Sequence, residues 1–522
     1  MKRTLGSIVL CLLIVSFLFV PALALAEKQT IVYGTTQKVD DLDPATQYTL
    51  VGLELLSNCY PTLLTFKPGT TELIPDLALS YSSNADNTEW TFKLREGIKW
   101  PDGTPFDAKA VKHSIDRAAT LEGPPSWLVT TYVDRTEVVS EYEVKFVLTR
   151  SLGYFPYLLP HTIYMIVNPS LYPLDKAVHW PTDLPGGKIE ALGPFNMTYF
   201  KRDEEIIFEP NPDYYGPHAK ADRIVIRFYA DATTLRIALE KGEVDLAFQT
   251  LNPTDIDTLS ESGKYRVWRT AAPFIRELCF CNTLPPVDDP VVRQAIAAAI
   301  DRKPIIRKVY MGQMRPSYSF MAMEWAPYYV PAFKEEYGPD GDPARAKELL
   351  ASRGYTGDKK LVLDLWYTPS ELGDMEIDLA TMLKAQLEAT GAMEVKVHSA
   401  EWASFIQKWQ DKEMPAFLLG FYPDFVDPDA CLSMASTEAG SAFGLYYSNE
   451  EWDAKLLEAS AISDVDKRKE IYDWLQKDWA KQNPMLPLFQ GDTIAISQPD
   501  IEGIEFNAIG SLFYKKISRA QK

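Results

Sequence analysis

Residues Leu418 to Ala430 read LLGFYPDFVDPDA, and the reading of this stretch decides the fold. It continues an apolar run, Phe417-Leu418-Leu419, that suits a buried strand. It then turns into Gly420, two aromatics, Pro423 and three carboxylates, Asp424, Asp427 and Asp429. A buried strand ending in a Gly- and Pro-marked loop with acidic and aromatic groups is where ligand sites sit in α/β proteins. The same residues also read as ordinary turn chemistry with solvated acids. The rest of the chain decides between the two.

Outward from the stretch, strands and helices alternate on both sides. Trp402 to Gln410 reads as a helix leading into it. Upstream are a strand at Leu361 to Trp366, a helix at Met375 to Ala389 and a strand at Val395 to His398. Asp289-Pro290 and Asp342-Pro343 each pair a cap with a first-turn Pro and so start helices. A strand at Arg276 to Cys281 precedes them. Downstream, Trp452 to Ala461 and Val465 to Gln482 read as helices, and Pro487-Leu488-Phe489 begins a return strand.

Near the N-terminus QTIVYGTTQ opens as a strand, and Tyr48 to Tyr60 spaces Leu50, Leu53 and Leu56 helically. A strand at Arg223 to Tyr229, a helix from Ala232 to Lys241 capped by Asp231 and closed by Gly242, and a strand at Val244 to Phe248 form a strand–helix–strand unit. Such a unit implies a parallel pair in an α/β sheet. Between residues 61 and 194 the pattern changes to short strands at Leu63 to Phe66, Glu89 to Leu94 and Glu137 to Leu148. One helix, Ala108 to Thr120 capped by Asp107, lies among them, and Leu184-Pro185-Gly186-Gly187 is a boundary.

Composition narrows the function. Apolar residues make up 46% of 522, with no long Gly/Ser-rich or highly charged stretch, so the chain is expected to fold nearly throughout. A net charge of −19 without a basic patch argues against nucleic acid as partner. Lys2 and Arg3, the apolar run Leu5 to Val20, Pro21 and Ala24-Leu25-Ala26 form a leader cleaved before Glu27. Its loss moves the charge to −21, because two cations and no acids go. An uncleaved anchor is the alternative, but the run is short of a comfortable span. Cys11 follows Leu10 rather than a small residue and is not read as a lipid-attachment site. The exported product is expected to be a soluble monomer.

Cys59, Cys279, Cys281 and Cys431 are expected to be buried thiols. Cys279 and Cys281 are two apart on a strand, where a bridge is geometrically poor, and spacing gives no support for a Cys59–Cys431 bridge. There is no Gly-rich dinucleotide loop, Walker loop, Gly-x-Ser-x-Gly or His-Glu-x-x-His. The five histidines are scattered and the acids nominate no glycosidase pair. No cofactor and no metal site are expected. This favours a binding protein over an enzyme, with a secreted hydrolase as the reading from another class.

Seven stretches then occur together: IKWPDGTPFDAKAVKHS at 98–114, LGPF at 192–195, NPDYYGP at 211–217, KGEVDLA at 241–247, PVVRQAIAAAIDR at 290–302, EW at 401–402 and GFYPDFVDPD at 420–429. Together they resemble the extracytoplasmic dipeptide/oligopeptide-binding proteins of ABC importers, solute-binding family 5, over essentially the whole mature chain. The resemblance implies a two-lobed α/β fold of the periplasmic-binding-protein kind with an added α+β domain on lobe one. Two strands would cross between the lobes, near Ala272–Arg276 and Pro487–Gln490, and closure would be a hinge motion. Lobe one would comprise 27–60, 195–272 and 488–522, the added domain 61–194 and lobe two 273–487.

The resemblance also implies a site. In peptide-binding members an aspartate after a Gly-aromatic pair holds the ligand's α-ammonium, and Gly420-Phe421 with Asp424 matches it. A carboxylate in a closed cleft makes a strong charge-assisted bond and rejects ligands lacking the cation. The backbone of Gly420, Phe421 and Tyr422 would pair with the ligand like an added strand. Lobe one would contribute Thr36, Gln37, Lys38 and Val39. Trp402 matches a cleft tryptophan, though a core helix residue is an equal reading. Some oligopeptide binders carry arginines where Trp409 and Leu418 stand here, so those positions do not support carboxylate recognition. Arg276, Arg302 and Arg315 are unranked candidates. The implied role is capture of a peptide and its delivery to ABC permease subunits in the membrane. The alternative is the same role with an oligosaccharide, favoured by the cleft aromatics.

Overall fold

The structure, a computed structural model, describes residues 29–249, 251–325, 327–369 and 375–520. The expected leader lies outside the described residues. Eleven strands form one mixed sheet. In chain order they are β1 (Thr30–Thr35), β2 (Phe195–Lys201), β3 (Glu205–Pro210), β4 (Arg223–Phe228), β5 (Leu246–Phe248), β6 (Arg266–Phe280), β7 (Met314–Pro316), β8 (Leu361–Tyr367), β9 (Met393–Ser399), β10 (Ala416–Phe421) and β11 (Met485–Ser497). The spatial order is β9-β8-β10-β6-β11-β5-β1-β4-β3-β2, and β7 adds to β11.

The parallel units form where capping chemistry starts their helices. Asp231 accepts the Thr234 N–H at 2.8 Å, so helix Ala232–Glu240 begins immediately after β4. Gly242, at φ 72°, ends it, and β5 then lies parallel to β1. Helix Met375–Glu388 makes the equivalent connection between the parallel strands β8 and β9. Residues Ala416 to Leu419 of β10 are all buried, as in a sheet covered on both faces.

The long strands β6 and β11 hold the two halves of the sheet together. They pair antiparallel from Arg266↔Ser497 to Cys279↔Met485. The ladder is displaced between Ala271↔Asp492 and Ile275↔Gln490, where three residues of β6 face one of β11. That segment contains Pro273, which has no N–H for a ladder, and Gly491 lies opposite. The interruption separates the β5-β1-β4-β3-β2 half from the β10-β8-β9 half. The arrangement is the two-lobed α/β architecture with two crossings.

Residues 78–148 carry a separate antiparallel sheet, ordered Ala78–Ser83, Glu89–Leu94, Glu143–Leu148, Val133–Ser140. Helix Ala108–Thr120 begins at Asp107, which accepts the Ala110 N–H at 2.9 Å. The strand pattern expected over Glu137 to Leu148 is resolved as a hairpin turning at Glu141-Tyr142. That turn lacks the Gly or Asn that would announce it. The segment that follows this sheet touches the second half of the chain: Tyr154 stacks on Phe425 at 5.5 Å and 10°, and the Gly153 N–H donates to the Ser460 carbonyl at 2.7 Å. All four described cysteines are free and buried, so Cys59 and Cys431 are not bridged.

Candidate functional site

Where β10 runs out of partners, the candidate site begins. Its ladder with β8 consists of Ala416 and Phe417, whereas its ladder with β6 continues to Phe421. The edge from Leu418 to Phe421 therefore has no second strand beside it among the described residues. Gly420 stands opposite Arg276. A Cβ at Gly420 would lie 2.6 Å from Phe274 Cε2 and 2.9 Å from Arg276 Nη1, so only glycine admits the Phe274 ring here. Phe274, in the displaced segment of β6, stacks on Tyr422 with centroids 4.5 Å apart. The aromatic floor thus joins the crossing point to the acidic loop.

The three carboxylates of that loop have different fates. Asp427 is buried and pairs with Arg468 through two bonds of 2.7 and 2.8 Å. It also accepts the Asp429 N–H at 3.1 Å, capping the short helix Pro428–Leu432. Asp429 is buried and accepts the Tyr472 hydroxyl at 2.7 Å; burial and the neighbouring Asp427 push its carboxyl up to about 6. Asp424 alone keeps access, with 23% of its side chain exposed. Burial pushes its carboxyl up to about 6, and the Tyr48 hydroxyl opposes this by hydrogen bonding. The nearest imidazole, His161 Nε2, lies 4.0 Å away. Burial holds His161 down at about 3, so the ring is neutral and supplies no positive charge.

Tyr48 and His161 come from the opposite wall. The loop that carries Tyr48 is tied down by Asp43, which takes Arg117 through bonds of 2.7 and 2.6 Å and also accepts the N–H groups of Ala45 and Val178. Tyr48 lies 6.2 Å from the His161 ring and stays 39% exposed. Trp127 hydrogen-bonds to Tyr48 and is similarly exposed.

Two cavities flank this point. One, of about 240 Å³, is lined by His161, Asp424 and Phe425 together with Asp76 and Lys515. The other, of about 310 Å³, is lined by Gln37, Phe274, Tyr310, Tyr422 and Asp492. Ile509 borders both.

Of the expected set, Gln37 and Tyr422 line the second cavity and Asp424 lines the first. Gly420 and Phe421 border neither cavity, and the Phe421 ring packs on Phe320 at 5.6 Å. Thr36 is half-buried beyond β1, Lys38 is exposed, and Val39 is a core residue at 2% exposure. Trp402 borders neither cavity. It stacks on Phe405 at 6.0 Å and meets Trp409 edge-on at 6.1 Å, in a cluster that continues to Phe417. Its core reading is the one this geometry favours. The candidate arginines all have internal partners: Arg276 grips Glu376 at 2.6 and 2.7 Å, Arg302 donates to the Pro487 carbonyl at 2.7 Å, and Arg315 pairs with Glu324 and Asp492. Tyr48, Trp127, His161 and Phe274 escape sequence reasoning. Tyr48 reads there as helical, yet the helix spans Leu50–Ser57.

Comparison with known proteins identifies the family. Residues 72–443 match the bacterial extracellular solute-binding proteins, family 5 Middle. The chain is 26% identical over 530 residues to the dipeptide-binding protein of Escherichia coli strain K12, covering 95% of each. In structure it is similar to a dipeptide-binding protein from Pseudoalteromonas sp. SM9913 in complex with Met-Leu, with a TM-score of 0.77, 23% identity and coverage of 94% and 100%. It is also similar to NikA from Brucella suis in complex with Fe(III)-EDTA, with a TM-score of 0.82, 23% identity and coverage of 94% and 99%. The match over most of its length and the shared two-lobed fold make this chain a member of family 5 of the bacterial extracellular solute-binding proteins.

Proposed function

We propose that this chain is the substrate-binding component of an ABC importer and captures short peptides between its lobes. The observation that carries the reading is Asp424. It is the one carboxylate of its loop that keeps access, no Lys or Arg pairs with it among the described residues, it lines a cavity, and its neighbours are a tyrosine hydroxyl and a neutral imidazole. An α-ammonium supplies the missing charge. The open Leu418–Phe421 edge offers main-chain groups to a peptide, which leaves side chains loosely read. The name of the Escherichia coli relative supports the ligand class.

In this reading lobe one comprises 27–60, 195–272 and 488–522, the added domain 61–194 and lobe two 273–487. Residues 1–26 are a cleaved leader, the product works outside the cytoplasm as a monomer, and it catalyses no reaction. No helix among the described residues is long and apolar enough to cross a membrane, so delivery requires permease subunits. Ligand binding drives closure only through a higher affinity for the closed form.

An oligosaccharide is the second reading, supported by the exposed rings of Tyr48, Trp127 and Tyr422. Thermal shift of residues 27–522, unfolded and refolded to remove carried-over ligand, separates the two. Ligand at about 100 times its Kd adds roughly 2.7 kcal/mol. A rise with free-amino peptides supports the peptide reading, and a rise with sugars alone replaces it.

A further inference from the structure

Helix Glu450–Ala461 ends, like any helix, in carbonyls without a partner inside it. Two of them find donors in a distant part of the chain. The Gly153 N–H donates to the Ser460 carbonyl at 2.7 Å, and the Asn87 side-chain amide donates to the Ala461 carbonyl at 3.0 Å. Next to Gly153, the Tyr154 ring is buried. It stacks on Phe425 and has the Arg468 guanidinium 5.3 Å from its centre. Gly153 permits this approach because it lacks a side chain. A Cβ there would lie 2.3 Å from the Ile462 carbonyl oxygen and 2.7 Å from the Ser463 nitrogen, both backbone atoms. Asn87, Gly153 and Tyr154 belong to the added domain of the reading above, and Phe425, Ser460 and Arg468 to its lobe two. Phe425 directly follows Asp424, and His161, 4.0 Å from that carboxylate, also lies in the added domain. The contact that caps the helix therefore also walls in Asp424.

We propose that Gly153 and Tyr154 form a latch for the closed state, through which the added domain itself, and not the ligand alone, holds lobe two against the site. The proposal rests on the hinge closure of the reading above and not on the ligand's chemistry. Closing gives the Ser460 and Ala461 carbonyls their donors and buries the Tyr154 ring against Phe425. Opening returns all of these groups to water. Each hydrogen bond adds little by itself, because water replaces the lost donor, and the aromatic pair adds more through its buried area. A closed form supported by such contacts is more populated, which tightens any ligand that binds it. The effect falls on dissociation, since a ligand between closed lobes leaves only after the latch parts. Gly153 is not among the glycines at positive φ, so its missing Cβ serves the close approach and not a turn.

Gly153→Ala tests this, because its methyl suits the segment's own backbone and meets the Ile462 carbonyl only when the two parts touch. Asn87→Gly is the second variant. It removes the donor to Ala461 and accommodates the φ of 56° at that position. Both are compared with refolded wild type, residues 27–522, by differential scanning calorimetry without ligand and by stopped-flow dissociation of Ala-Phe. Without ligand, Gly153→Ala should melt as wild type does, because the open form lacks the contact. Ala-Phe should leave Gly153→Ala about tenfold faster and Asn87→Gly faster by a smaller factor, with association rates nearly unchanged. A lower melting temperature of unliganded Gly153→Ala overturns the latch and makes the contact a fixed interface. An unchanged dissociation rate in Gly153→Ala overturns it as well. A wild type that ignores Ala-Phe overturns the peptide reading alone, and the calorimetry without ligand still judges the latch.

Discussion

Asp424 Oδ1 lies 4.0 Å from His161 Nε2, a contact between an acid and an imidazole that burial keeps neutral. The pair is therefore no salt bridge. It is a desolvated carboxylate beside a polar wall, and its energy favours whatever cation enters. Asp424→Asn should accordingly separate function from stability. Peptide affinity is expected to fall about 30-fold or more, in line with ~2–5 kcal/mol for truncating one partner of a buried charge pair. The melting temperature of the unliganded protein should stay level or rise, because the variant no longer buries a charge. Calorimetric titration and differential scanning calorimetry on the same preparation read both quantities.

Affinity should also depend on pH. The free Asp424 carboxyl titrates at about 6, well above an ordinary aspartate, and an ammonium binds its ionised form. Binding is then strongest near pH 7, weakens roughly tenfold per unit below about pH 6, and weakens again towards pH 8 as the peptide's α-ammonium, with a pKa of about 7.7–8.0, loses its proton. Titrations with one peptide between pH 5 and 8 check this. A profile flat to pH 5 contradicts the raised carboxyl.

Stability carries the opposite pH sign. Glu54 is buried under Tyr33 and Tyr514, and burial pushes its carboxyl up to about 7. The folded state therefore holds a proton that the unfolded state has lost between pH 4.5 and about 7, so stability falls as pH rises through that window. The contribution is at most about 3 kcal/mol, from 1.36 kcal/mol per unit. Glu54→Gln should flatten the decline, as measured by denaturant unfolding at pH 5 and 8.

Asp427 and Asp424 stand three positions apart, yet their substitutions should behave oppositely. Asp427→Asn breaks a buried pair with Arg468 and leaves the guanidinium uncompensated. A loss of about 3–5 kcal/mol is expected. Chemical denaturation of this variant beside Asp424→Asn provides the comparison.

Gly420→Ala should disturb the aromatic floor. Its methyl would meet Phe274 at 2.6 Å and Arg276 at 2.9 Å, and the Phe274–Tyr422 stack would have to shift. A cost of about 1–3 kcal/mol is expected from overpacking. A larger loss in peptide affinity than in stability would mark the floor as part of the binding surface.

The sequence shows the sheet more clearly than the cleft. Buried parallel strands announce themselves as apolar runs, and Asp231, Asp289 and Asp342 mark helix starts that the structure reproduces. The long crossings are harder to see. β6 begins ten residues before the strand expected at Arg276, because its first part is only partly buried, shows no clean alternation and contains Pro273. The loop that carries Asp424 is legible because its glycine, aromatics and prolines are contiguous, and Asp424 itself is singled out by the family resemblance. Tyr48 and His161 are not, since each lies more than 260 positions away and only the packing of three chain segments brings them near. Trp402 illustrates the converse. Its residue type suits a ligand wall, but its spacing to Phe405 and Trp409 places it in a helix-face cluster.

The most direct test is calorimetric titration of refolded wild type with a free-amino dipeptide and the same dipeptide N-acetylated. Saturable binding of the first and none of the second is the predicted result. Equal binding of both would contradict the claim that Asp424 selects ligands by their α-ammonium.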